Sequence, residues 1–360
     1  MSRFPLLLLA IVALLFAIWA GLLRLGWAWP TVQPNLAAAH GPLMVSAFLG
    51  TVIGLERAVA LNKRWAYLVP LLSALGGLLL IVGLSWTWAG RLLTLASLGL
   101  VVLFVLIVRR HATIYTWTMA AGSVAWLVGN VLGLMGRPLY TVAPWWVAFL
   151  VLTIAGERLE LSRVLRHSRR TIGLFALGAA LFLAGVIGSV ASYDLGVSLA
   201  GLGVVALAVW LVVYDIARRN LRRDGLTRFI AWCLFSGYFW LAIGGALWLI
   251  YGGVMAGPIY DAILHSVFLG FVFAMIFGHA PLIFPSILGR PMAYLPLFYL
   301  PLVALHLSLA LRVIGDLFNV VSLRQWGGLL NGLTLLLFLG ITALALARGA
   351  ADRRRMLETN

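Results

Sequence analysis

Apolar residues run in blocks of about twenty along this chain, the length an α-helix needs to cross a bilayer, and the polar positions gather into short clusters between the blocks. Twelve blocks are read, over residues 5–27, 38–61, 65–84, 92–108, 113–135, 142–162, 171–190, 196–217, 229–252, 261–285, 294–314 and 326–348. Backbone polar groups inside a membrane must be satisfied within the segment. The pattern therefore predicts an all-α polytopic integral membrane protein of about twelve transmembrane helices. It reads as one helical domain over 1–350 followed by a short basic tail at 351–360. The first block follows only Met-Ser-Arg-Phe and resembles a signal peptide. It reaches spanning length without a small-x-small site before Trp27, so it is expected to stay as a helix.

The chain is 63% hydrophobic and 10% charged, and its basic residues add an orientation. With the N-terminus inside, Arg3, Lys63, Arg64, Arg109, Arg110, the 158–170 and 218–228 clusters, Arg290, Arg348 and Arg353 to Arg355 fall in cytoplasmic segments. Only Arg24, Arg91, Arg137, Arg312 and Arg324 fall outside. This excess of arginine predicts that both termini are cytoplasmic. It also accounts for the net charge of +16 through contact with anionic lipid at helix ends, so no nucleic-acid partner is expected. Trp27, Trp29, Trp86, Trp88, Trp145, Trp146, Trp248 and Tyr251 are expected to form an aromatic belt at the outer interface. The single cysteine, Cys233, excludes an intramolecular disulfide and a thiolate cluster.

A short echo links "TVIGLER" at the end of the second block with "LTIAGER" at the end of the sixth. Four helices separate them, which suggests three four-helix pseudo-repeats with the tenth helix at the third equivalent place.

Ionisable residues at membrane depth are expensive and are the first functional candidates. Four of the six histidines lie there: His40, His265, His279 and His306. His40 opens the second helix and His265 the tenth, and both helices run in the same direction. Their imidazoles are expected at similar depth, where they would offer a nitrogen to each face of a haem iron. Met44, four residues after His40, is a reserve thioether ligand. His279 lies fourteen residues after His265, about 21 Å along an α-helix and roughly on the same face, so it is expected to serve a second site with His306. Arg312 is a candidate for haem propionates, with Arg24 and Arg137 as alternatives. Glu56, Glu157 and Glu160 lie near inner helix ends. They read as boundary ion pairs or, if they face the bundle, as a proton or quinol locus.

The stretch "HSVFLGFVFAMIFGHAPLIFPSILGRPMAYLPLFYL", followed by "LALRVIG", resembles the late helices of the NnrS family of haem- and copper-containing bacterial membrane proteins. "AHGPLMVSAFLG" is similar to that family's histidine-containing second helix, and the plan is distantly similar to the catalytic subunit of haem-copper oxidases. The resemblance covers about a third of the chain. It implies haem b ligation by His40 and His265, one or two haems, copper as a further candidate, a turn at Gly289, Arg290 and Pro291, and a bacterial inner membrane location. The family's His-x-His-Glu-Met cluster stands here as His40-Gly41-Pro42-Leu43-Met44, without the second histidine and the glutamate. The oxidases' three-histidine copper centre has no counterpart in the sixth and seventh helices, which weighs against oxygen reduction by that mechanism.

The expected function is thus electron transfer or handling of a diatomic gas such as nitric oxide, with a redox partner or quinol as electron donor. Two alternatives stand beside it: a secondary transporter with a histidine-lined pathway, and a haem-free subunit of a membrane complex. Whether the chain is an enzyme, as a haem-dependent oxidoreductase, is left open by the sequence.

Overall fold

The computed structural model describes residues 3–358, with side chains through Arg353. Among them all regular structure is helical, and twelve helices are long and apolar enough to span a membrane. The spans are Phe4–Arg24, Ala37–Leu61, Arg64–Ile81, Trp86–Arg110, Ile114–Leu134, Leu139–Leu165, Arg169–Gly188, Tyr193–Tyr214, Gly225–Tyr251, Pro258–Leu288, Pro296–Leu317 and Val321–Arg353. All twelve expected blocks are present, and the protein is a multi-pass membrane protein. The last helix itself runs to Glu358, so the basic tail expected at 351–360 is helical that far, and residues 359–360 lie outside the described residues.

The chain forms two compact units, one ending at Gly203 and one beginning at Val204, within the eighth span. In the first unit the fourth, fifth and sixth spans pack in sequence, and the first span lies against the second and third. The seventh and eighth approach backbone to backbone. A Cβ at Gly185 would lie 2.2 Å from the Ala200 nitrogen, and one at Gly196 would lie 2.2 Å from the Ser189 nitrogen. Small residues are what allow such an approach between membrane helices. In the second unit the ninth span packs along the tenth, and the eleventh along the twelfth.

Burial separates the spans. The second, sixth and tenth are 67%, 78% and 67% buried over their apolar windows, and no other span exceeds 56%. These three spans stand four helices apart along the chain. In the sixth, Val142 to Leu152 are buried without a break, the pattern of a helix apolar all round.

The second and tenth spans share a second property. Each carries a histidine in a short α-helical segment, His40–Pro42 after a 3-10 turn in one and Pro258–His265 in the other, and then widens into a π-helical stretch, Leu43–Leu49 and Ser266–Phe273. π turns are rare and recur at functional sites. The tenth span then holds Pro281 and Pro285 in its α-helical remainder and stops at Gly289, at φ 65°, whose N–H donates to the Pro285 carbonyl at 2.8 Å. Glycine takes this left-handed position at no steric cost.

Candidate functional site

In the first unit, His40 turns back onto the first span. Its Nδ1 lies 2.7 Å from the Ala17 carbonyl oxygen, which places the proton of a neutral ring on Nδ1. The ring rests on Gly21, where an added Cβ would come within 2.9 Å of Cε1. Met44, in the π stretch, is buried.

The same π stretch anchors a buried polar network. The Ser46 hydroxyl donates to Asn130 Oδ1 at 2.9 Å and accepts from Trp126 Nε1 at 3.0 Å. Trp146 Nε1 also donates to Asn130 Oδ1 at 3.0 Å, while Asn130 Nδ2 donates to the Leu93 carbonyl at 3.1 Å. The Ser73 hydroxyl donates to the Ser46 carbonyl at 2.5 Å. Five spans meet in this set, and each polar group in it has a partner, which is the condition for a stabilising buried network. It corrects the expected aromatic belt. Trp145, Trp146 and Trp248 are 8%, 2% and 1% exposed, and Trp146 is held by Asn130 rather than by an interface.

Two of the cavities in this unit bear on the candidate residues. One of about 380 Å³ lies beside the start of the second span, lined by Ala39, Pro42, Trp86, Arg137 and Trp146, and His40 is not part of its wall. The other, about 320 Å³, is lined by Arg57, Phe104, His111, Tyr115, Glu160 and Arg163. At its edge Arg57 closes on Glu157, with Glu56 at 3.8 Å, so the two echo segments meet through an ion pair. Arg57 also stacks over Phe104 at 5.7 Å. Glu56 and Glu157 are therefore ion-paired, and of the three glutamates Glu160 lines the cavity.

In the second unit, His265 sits in a charged cluster. Its Nδ1 lies 2.9 Å from the Asp261 carbonyl oxygen and 3.3 Å from Asp261 Oδ1. Arg312 on the eleventh span donates from Nε to Asp261 Oδ2 at 2.7 Å and from Nη2 to Oδ1 at 2.9 Å. Bidentate pairing of this kind fixes both partners. Arg312 is thereby committed to a carboxylate of its own chain, where the sequence had suggested a propionate. One turn on, Asp316 is 1% exposed, and Arg324 Nε approaches it at 3.9 Å. Gly327 lets the twelfth span pass close to Arg312, because a Cβ there would meet the Arg312 nitrogen at 2.5 Å.

The remaining histidines differ. His279 Nδ1 lies 2.8 Å from the Met275 carbonyl oxygen, which again places the proton of a neutral ring on Nδ1. His306 Nδ1 instead accepts from Trp240 Nε1 at 3.0 Å, so its proton sits on Nε2 and no lone pair is left for a metal. His306 is thus removed from the ligand set. The shared face expected for His265 and His279 also fails, since it assumes α geometry and eight residues of wider π turn intervene. Asp261, Asp316, Arg324 and Trp240 were not singled out from sequence, although Asp261 and His265, like Arg312 and Asp316, stand at the i, i+4 spacing that marks one helix face.

No curated protein matches this chain. A family model matches residues 3–347, nearly the whole chain, and by that match the protein belongs to the family described as Domain of unknown function (DUF8744).

Proposed function

We propose that this chain is a haem b-binding membrane protein similar to NnrS, acting in electron transfer or in the handling of a diatomic gas such as nitric oxide. The observation that carries the proposal is the state of its imidazoles. At His40 and His265, each at the head of a π stretch in a deeply buried span, Nδ1 is engaged by backbone oxygen, which in the neutral ring assigns the lone pair that a haem iron needs to Nε2. A fixed Nδ1–H is the usual accompaniment of a metal-bound histidine. His279 has the same tautomer and is the candidate for a second haem or metal. When bound, haem would supply one-electron chemistry, while the chain supplies ligand orientation and an apolar surround.

In this reading a quinol is the electron donor. The cavity bounded by Phe104, Tyr115, His111 and Glu160 offers an aromatic wall and titratable groups for it. The excess of arginine at one set of helix ends supports cytoplasmic termini, and the resemblance to NnrS implies a bacterial inner membrane.

The test is the visible spectrum of the detergent-purified protein from haem-replete cells, oxidised and reduced, beside His40→Ala and His265→Ala. Sharp haem bands, lost on either substitution, are expected. A colourless protein with no extractable haem would end the proposal.

A second reading, secondary transport, is favoured by one observation: Asp261, Arg312, Asp316 and Arg324 form a charged cluster within the spans of the second unit. Buried charges of this kind mark substrate or ion pathways in transporters. A colourless protein whose Asp316→Asn variant loses substrate-driven proton movement in vesicles would select this reading.

A further inference from the structure

The contact between Asp261 and His265 does more than fix a tautomer. Asp261 lies four residues before His265, on the same face of the helical turn, and presents two acceptors to Nδ1: its own carbonyl oxygen at 2.9 Å and Oδ1 at 3.3 Å. The carboxylate cannot swing away, because Arg312 holds both of its oxygens at 2.7 and 2.9 Å. Arg312 is in turn fixed from behind by the close passage of the twelfth span at Gly327. The Arg312, His265 and Asp261 side chains are 8%, 16% and 24% exposed, so the relay is largely withdrawn from bulk water, which strengthens its charge-assisted hydrogen bonds.

A carboxylate on Nδ1–H draws the proton from the ring and leaves electron density on Nε2. A metal bound at Nε2 then meets a more basic ligand, which stabilises its oxidised state. We propose that Asp261, clamped by Arg312, is a tuning and positioning residue for His265, lowering the reduction potential of the haem iron that His265 binds. This inference rests on the haem reading given above. It assigns Arg312 a role through Asp261.

The experiment uses purified full-length haem-loaded protein and reads two quantities, the midpoint potential by redox titration and the ferric low-spin signal by electron paramagnetic resonance. In Asp261→Asn the haem should be retained, the potential should shift upward, and the highest g value should rise as imidazolate character is lost. Charge loss within the same unit is controlled by Asp215→Asn, a buried acid whose partners include the Tyr238 hydroxyl and the Ala217 N–H, and it is expected to leave the g values in place. Asp261→Glu keeps the charge but misaligns the carboxylate, so it should also raise the potential. It provides the readout if Asp261→Asn does not fold. Equal shifts in Asp261→Asn and Asp215→Asn, or unmoved g values in both Asp261 variants, would overturn the inference while leaving the haem reading intact. A protein without haem would overturn both.

Discussion

The indole N–H of Trp240 donates to Nδ1 of His306 across 3.0 Å, from the ninth span to the eleventh. This contact sets His306 apart from the other three membrane-embedded histidines, because it places the proton on Nε2. On the haem reading proposed above, His306→Ala should therefore keep the haem content of the parent protein. The cost should be one interhelical hydrogen bond, about 1 kcal/mol. A haem-to-protein ratio that drops with His306→Ala as it does with His265→Ala would refute the tautomer assignment.

Gly21 bears on His40 in a comparably direct way. A Cβ at Gly21 would sit 2.9 Å from the imidazole Cε1, so Gly21→Ala should rotate the ring off the Ala17 carbonyl. The expected spectrum is that of His40→Ala, with the haem bands weakened. Bands as sharp as in the parent protein would show that the ring's position against the first span does not matter to ligation.

Asn130 carries the polar network of the first unit. Replacing it with Leu leaves the Trp146 N–H and the Leu93 carbonyl without the partners seen here, and the Ser46 hydroxyl without its acceptor. Each buried polar group left unsatisfied costs about 1–3 kcal/mol. Thermal unfolding in detergent should show the loss, and a transition unchanged from the parent would mean that the network carries no net stability.

At Gly196 the obstruction is backbone, which cannot rotate away. Gly196→Ala would place a methyl 2.2 Å from the Ser189 nitrogen and should force the seventh and eighth spans apart. Gly173→Ala, with nothing within 4 Å, is the matched control and should behave as the parent. The yield of monodisperse protein on size-exclusion chromatography distinguishes the two; equal yields would refute the packing argument.

The twelve spans were legible because each is a long apolar run, a signal that needs no knowledge of neighbours. The charged cluster was obscured by small errors at helix ends. The eleventh helix was expected to stop at 314 and the twelfth to start at 326, which left Asp316 and Arg324 in a loop, whereas the helices include both. The π stretches leave no compositional mark in "LMVSAFL" or "SVFLGFVF", so any count of residues across them went wrong. Tryptophan is common at membrane interfaces, so the sequence alone points Trp145 and Trp146 there, and only the position of Asn130 shows where the Trp146 N–H goes.

The two π stretches also bear on how this protein tolerates changes in length. A π turn holds more chain than an α-turn over the same hydrogen-bonded loop, so the second and tenth spans each carry slack that an unbroken α-helix lacks. Deleting a residue there is a change the helix can absorb by tightening its winding. What it cannot absorb is the accompanying rotation, which would swing everything on one side of the deletion to a different azimuth. These are the places in the chain where a length variant would remain inserted and folded yet present its imidazole in the wrong direction.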